Sequence, residues 1–204
     1  FLQEWTAVIQ RDYNHPSIVA WVPFNESWGI SAVLNDRQQQ ETVKAVYYLT
    51  KALDPTRVVI DNDGWEHTET DLCTIHDYEP DGEEIFRVYA DQERVLSGIP
   101  SRLHPRHIFA AGHTYKGQPI LLTEFGGLAF ATTEGWGYGE GAQNQAEFIG
   151  RLQKQFQAIK DTKYLVGYCY TQLTDVEQEQ NGLMTIDRKL KVELEQIQKL
   201  NSGK

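Results

Sequence analysis

Two short stretches of this chain end an apolar run on a carboxylate. Residues 18–29 read IVAWVPFNESWG, and residues 120–127 read ILLTEFGG. In the first, Ile18, Val19, Ala20, Trp21 and Val22 form the unbroken apolar run expected of a strand buried on both faces, and the chain then turns polar at Asn25, Glu26 and Ser27. In the second, the run delivers Glu124 just ahead of two glycines. A buried strand with a carboxylate at its C-terminal end is how an α/β barrel presents chemistry. Two carboxyls aimed at one ligand can divide acid–base work, because burial and a neighbouring negative charge raise the pKa of one of them. The plainer alternative is that both glutamates cap strand ends in a solvated loop.

Whether the two converge depends on the elements between them. Leu2, Trp5, Val8 and Ile9 space out an amphipathic helix over residues 1–12, which Asn14, His15 and Pro16 stop. The strand over 18–24 carries Pro23, which a bulge or the end of regular pairing would accommodate. A helix follows over 36–53, with Val43, Val46, Tyr47 and Thr50 on one face and Asn35 or Asp36 as its N-cap. The strand over 57–61 exits into Asn62, Asp63, Gly64, Trp65 and Glu66, and the strand over 71–77 delivers His76, Asp77 and Tyr78.

A helix over 83–96 and a looser section to Gly117 lead to the strand that ends on Glu124. The glycine-rich stretch 135–141 is expected to be a mobile loop. A helix over 143–160, a strand over 164–171 and a helix over 189–200 complete the chain. Five strands thus alternate with about five helices, which specifies an α/β fold with a parallel sheet and helices on its outer faces. Glu26 and Glu124 are 98 positions apart, or three βα units of about 33 residues each. Both therefore lie at the same end of parallel strands and, in an eight-stranded barrel, across the mouth from one another.

Composition narrows the function classes. The 204 residues suffice for one domain with a substantial core, at 40% hydrophobic and 24% charged. No apolar run approaches the ~18 residues that span a bilayer. The formal charge of −10 argues against a nucleic-acid partner. Cys73 and Cys169 lie in apolar contexts without a CxxC partner, so buried free thiols are expected. His104, His107 and His113 match no zinc pattern. No cofactor is expected, although the acidic loop Asp175, Glu177 and Glu179 offers a surface site for magnesium or calcium. The chain starts inside a helical pattern with no visible signal peptide, which gives a boundary inside a longer protein and a cytoplasmic location as expectations. Aromatics beside the strand ends (Trp28, Trp65, Tyr78, Trp136, Tyr170) suit either core packing or the stacking of pyranose faces.

The segments NHPSIVAWVPFNESWG, PILLTEFGG and GYCYTQLTDVEQEQNGLMTIDRKLK resemble family 2 glycoside hydrolases, the β-galactosidase, β-glucuronidase and β-mannosidase relatives, in their order and spacing. The resemblance covers essentially the whole chain. It implies a partial TIM (β/α)8 barrel, strands four to eight with their helices: the C-terminal portion of a catalytic domain without its first three strands or the β-sandwich domains that precede it. Glu26 would then be the acid/base and Glu124 the nucleophile of retaining hydrolysis of a β-linked sugar. Trp21 and Trp28 would supply apolar surroundings for Glu26. Asn25 would bind the sugar 2-hydroxyl and Tyr78 would hydrogen-bond the nucleophile. His76 and Asp77 would reach sugar hydroxyls, and Asn62, Trp65 and Trp28 would line the pocket. The Asn-x-Lys-Gly motif of the glucuronidases is absent, which favours a neutral sugar; a β-galactoside is expected ahead of a β-mannoside. The rival class is a non-catalytic carbohydrate-binding or interaction module. An open half-barrel exposes strand edges, so the chain alone would be inactive or would pair with another copy as a homo-oligomer.

Overall fold

The first strand breaks at its proline. β1 (Ala20–Trp21) pairs in parallel with β3 (Val58–Val59), and β2 (Phe24–Asn25) with β4 (Asn62–Asp63). Proline has no N–H for a ladder, so Pro23 separates two two-residue pieces. β5 (Cys73–Asp77), β6 (Ile120–Gly126) and β9 (Leu165–Thr171) form a parallel sheet in the order β5–β6–β9. Backbone bonds from Asp71 N to Val59 O (2.9 Å) and from His76 N to Gly64 O (3.3 Å) tie β3 and β4 to β5. Beyond the end of β6, β7 (Leu128–Phe130) pairs in parallel with β8 (Tyr138–Ala142). The computed structural model describes residues 1–130 and 135–202. The expected loop 135–141 therefore contains most of a strand, and its neighbours 131–134 lie outside the described residues.

The helices follow their caps and apolar stripes. α1 spans Leu2–Asp12. α2 (Arg37–Leu53) starts where Asp36 accepts a bond from Gln39 N at 2.8 Å, and it buries Val43, Val46, Tyr47 and Thr50. Residues 83–96 make two helices rather than one. α3 (Gly82–Tyr89) is capped by Asp81, and Asp91 caps α4 (Gln92–Ser97) through Arg94 N at 3.1 Å. Asx side chains compete for backbone N–H groups, and Asp91 uses that capacity to start a helix. α5 (Gln145–Asp161) begins at the Asn144 cap and buries Phe148, Leu152, Phe156 and Ile159; α6 spans Leu194–Ser202. No helix among the described residues is long and apolar enough to cross a membrane.

The core lies on one side of the array. β5, β6, α3 and α5 enclose the main cluster, built around Ile75, Tyr89, Leu122, Phe125, Phe148 and Leu152. A smaller cluster joins Ile9, Trp21, Tyr47 and Val59 under α1 and α2. The first strand is not buried on both faces: Trp21 faces the helices, while Val19 is 78% exposed and Val22 is also exposed. β9 shows the same one-sided burial, with Val166 66% exposed. Cys73 is a buried free thiol, but Cys169 on β9 is exposed, because only alternate residues of that strand meet the helix layer. The architecture is an α/β array of parallel strands in barrel order that does not close.

Candidate active site

Glu26 stands on a turn assembled from side chains. Glu26 and Ser27 both adopt left-handed backbone, with φ of 53° and 59°, a conformation that surrounding structure must enforce on residues with a Cβ. Asn62 does most of this. Its Oδ1 accepts from Ser27 N at 2.9 Å, and its Nδ2 donates to Ser27 Oγ at 3.0 Å and to Trp65 O at 2.7 Å. Ser27 Oγ donates to Glu66 Oε2 at 2.5 Å, Arg106 Nη1 meets Glu66 Oε1 at 3.2 Å, and Glu26 N donates to Asp63 O at 2.9 Å. Asn62 was expected in the sugar pocket; it is fully buried and its amide is committed to this turn.

Glu124 comes from the central strand of the β5–β6–β9 sheet, in register with His76 across the β5–β6 ladder. Tyr78 donates its hydroxyl to Glu124 Oε2. The Tyr78 ring stacks on Tyr138 with centroids 3.8 Å apart. Gly127 makes room for that pair, since a Cβ there would sit 2.5 Å from Tyr138 and 2.8 Å from Tyr78.

His76 lies between the two glutamates. Its Nδ1 is 3.0 Å from Glu26 Oε1 and 3.4 Å from Glu124 Oε2, and its Nε2 is 3.3 Å from Asp63 Oδ2. Burial opposes charge on the ring, but bonding to Asp63 and Glu26 and the field of Glu124 outweigh it and raise the pKa to about 9. The imidazole is cationic at neutral pH. Asp63 moves the other way: burial would raise it, and His76 holds it below the usual carboxylate range. Burial pushes Glu124 up, against the pull of the His76 charge and the Tyr78 hydroxyl. Since the His76 side chain is fully buried, it reaches a substrate only through the carboxylates, not as the expected sugar contact. Gly64 lets the ring in, for a Cβ there would stand 2.7 Å from Nδ1.

The remaining expected residues divide by strand alternation. Asn25 and Trp28 are exposed at the lip beside Glu26, and Trp65 lines the mouth with its ring edge against His76. Asp77 points to the opposite face, where it meets Tyr89, and burial raises its pKa to about 6. Trp21 is also on the helix side and donates to Asp54 at 2.8 Å, so it gives Glu26 no surroundings. Asp63, His104 and Tyr138 belong to the site without having been singled out for it. Asp63 was legible as a polar strand exit, whereas His104 lies in an irregular stretch and Tyr138 opens a strand, β8, whose glycine-rich sequence has no periodicity to place it.

Among the described residues, Glu26, His76 and Glu124 form the cluster whose ligating atoms all lie within 4.8 Å of one another. With the ring protonated, Nδ1 offers no lone pair, and the imidazolium places its own positive charge between these carboxylates. Asp175 is ion-paired with buried Lys191 at 2.7 Å and accepts from Gly182 N at 2.8 Å.

An open parallel βα array with two carboxylates at matching strand ends defines the class, part of a TIM barrel with a two-carboxylate mouth. The family follows from the sequence: the profile of "Glycosyl hydrolases family 2, TIM barrel domain" matches residues 1–203, and the chain belongs to that family. Its fold is similar to a β-D-glucuronidase of Dictyoglomus thermophilum (TM-score 0.66, 18% identity, 98% of this chain and 34% of that one). It is also similar to a β-galacturonidase of Eisenbergiella tayi bound to galacturonate (TM-score 0.65, 18% identity, 97% and 35%). A β-glucuronidase of Ruminococcus gnavus in complex with an N1-substituted uronic isofagomine is likewise similar (TM-score 0.66, 18% identity, 100% and 35%). The chain thus spans about a third of the length of these solved relatives. No curated protein matches it significantly.

Proposed function

We propose that this domain hydrolyses β-glycosides with retention of configuration, Glu26 acting as acid/base and Glu124 as nucleophile. The observation that carries the reading is the approach of oxygens from the two carboxylates to within 4.8 Å. Such a close approach supports the ~5–5.5 Å carboxyl separation of retaining enzymes over the ~6.5–9.5 Å that leaves room for an inverting water. In the first step the Glu26 carboxylic acid gives its proton to the glycosidic oxygen, the bond from that oxygen to the anomeric carbon breaks, and Glu124 forms an ester to that carbon. In the second step Glu26, now a carboxylate, takes a proton from water. The water oxygen bonds to the anomeric carbon, the ester bond breaks, and Glu124 leaves as a carboxylate. Tyr78 and His76 steady the negative charge on Glu124 before the first step and after the second, and Asn25 at the lip is assigned to the sugar 2-hydroxyl.

The sugar is proposed to be neutral, a β-galactoside ahead of a β-mannoside. With Glu26 protonated for the first step, Asp63 and Glu124 still outnumber the one imidazolium at the centre, and Glu179 adds its field nearby at Tyr138. A carboxylate-bearing sugar would meet like charge there. A panel of aryl β-galactoside, β-mannoside and β-glucuronide is the test, with the full-length polypeptide. Hydrolysis of none, or an unchanged rate after Glu124→Gln, would defeat the reading. The exposed Val19, just ahead of β1, and Val166 on β9 favour a second reading for the isolated chain, a sugar-binding module without turnover. Sugar binding without hydrolysis in the same panel identifies that case.

A further inference from the structure

Two ionisable residues behind the Glu26 turn take no part in the mechanism. Asp61 and His67 are fully buried and bracket residues 62–66. Asp61 Oδ1 accepts from Asn62 N at 2.8 Å and meets His67 Nδ1 at 2.7 Å. Its Oδ2 accepts from Thr68 N at 2.6 Å and from Thr68 Oγ1 at 2.8 Å. One carboxylate thus ties the start of the loop to its end. Nδ1 carries the proton for this contact whether the imidazole is neutral or charged. The far nitrogen of the ring, Nε2, lies 3.0 Å from Thr74 N and 2.9 Å from Thr74 O, which fastens the closed loop to β5.

Every residue that this clamp encloses is used at the site. Asn62 holds Ser27, and Asp63 O accepts from Glu26 N. Gly64 leaves room for His76, the Trp65 ring meets the His76 ring edge-on, and Glu66 accepts from Ser27 Oγ. We infer that Asp61 and His67 are positioning residues, which close residues 62–66 into one rigid piece and so fix Glu26 against the leaving group. The inference rests on Glu26 being the acid/base. A buried carboxylate is costly unless its oxygens are bonded, and the bonds that Asp61 accepts all come from residues 62–68. The carboxylate therefore shapes this loop rather than joining it to the helix layer. Glu124 stands outside the clamp, held by the β5–β6–β9 ladders and by Tyr78. Loosening the clamp should accordingly harm proton donation more than nucleophilic attack.

The test compares a poor and an activated leaving group on the sugar that the panel identifies, an alkyl and a dinitrophenyl β-glycoside, with the full-length polypeptide. His67→Phe keeps a ring in place and removes both polar links. It should cut kcat/KM for the alkyl glycoside about tenfold more than for the dinitrophenyl glycoside. His67→Asn, whose amide nitrogen takes the place of Nδ1 against Asp61, should restore most of the difference. Thr68→Val is nearly isosteric and removes a single bond to Asp61, so it carries the comparison if His67→Phe does not fold. Its loss should show the same bias toward the alkyl glycoside, by about threefold. A role in stability alone predicts equal losses on both glycosides that follow the folded fraction. That result would overturn the inference and leave the hydrolase reading intact. Turnover of neither glycoside by the unmodified protein would overturn the hydrolase reading and this inference with it.

Discussion

Glu124 leaves a seven-residue strand laddered on both sides, whereas Glu26 leaves a two-residue strand and stands on a left-handed backbone. The first is placed by main-chain bonds and by a core of large side chains including Leu122, Phe125 and Leu152. The second is placed by the side chains of Asn62, Ser27 and Glu66, themselves held by Arg106 and Trp65. In the role proposed for Glu124, a nucleophile must keep one fixed distance to a carbon atom, and a strand supplies that rigidity. A group that gives and takes a proton must meet first a leaving oxygen and then a water. A turn of replaceable parts can tune that position. His76 joins the two regions, with one nitrogen facing both glutamates.

The largest expected effect is at the rigid end. Glu124→Gln should reduce kcat by about 10⁴-fold or more with the fold unchanged, because no covalent intermediate forms. Glu26→Gln should differ in kind. Its loss, about 10²- to 10⁴-fold on poor leaving groups, should shrink on activated aryl glycosides, which need little proton donation. Equal losses at both positions on all substrates would erase the distinction between them.

His76 gives the next effect, read as stability. Its folded pKa of about 9 lies above the ordinary 6.5. The stabilisation is therefore fully present below about pH 6.5 and is lost as pH rises through about 9. Denaturant unfolding from about pH 6 to 9.5 should show this fall, and His76→Gln should flatten that part of the curve. A smaller effect is expected from Tyr78→Phe. The loss of one hydrogen bond to a charged group should cost roughly 10- to 100-fold in kcat with little change in KM. A change confined to KM would move Tyr78 from the nucleophile to the sugar.

The two regions also differ in how far the sequence reveals them. Ile120 to Gly127 declares a strand, its end and its carboxylate in eight residues, and the apolar face of α2 is readable from its spacing alone. The βα order is legible because periodicity is local. The turn at Glu26 is not local: its partners lie 35 and 39 positions away, and no period connects Ser27 to Asn62 or Glu66. His76 was visible as a strand-end residue, but its role came from three carboxylates that arrive on three other elements. Apolar runs also overstate burial where a strand has a helix layer on one face only, as Val19, Val166 and Cys169 show.

The smallest effect tests whether the turn acts through Glu26 alone. Asn62→Ala removes one acceptor and two donated bonds, leaving Ser27 N and Trp65 O unpartnered inside the protein. Buried groups stripped of partners cost about 1–3 kcal/mol, which for a domain of this size lowers Tm by about 2–4 °C per kcal/mol. The left-handed φ at Glu26 and Ser27 then loses its main restraint, and Glu26 drifts from the glycosidic oxygen. Turnover of a glycoside with a poor leaving group should fall about tenfold through kcat. Covalent labelling of Glu124 by an activated 2-deoxy-2-fluoroglycoside, a reaction that needs the nucleophile far more than the acid, should proceed near its original rate. Parallel losses in turnover and labelling would show that Asn62 supports both carboxylates, and the mouth would then be one mechanical unit rather than a fixed strand facing an adjustable turn.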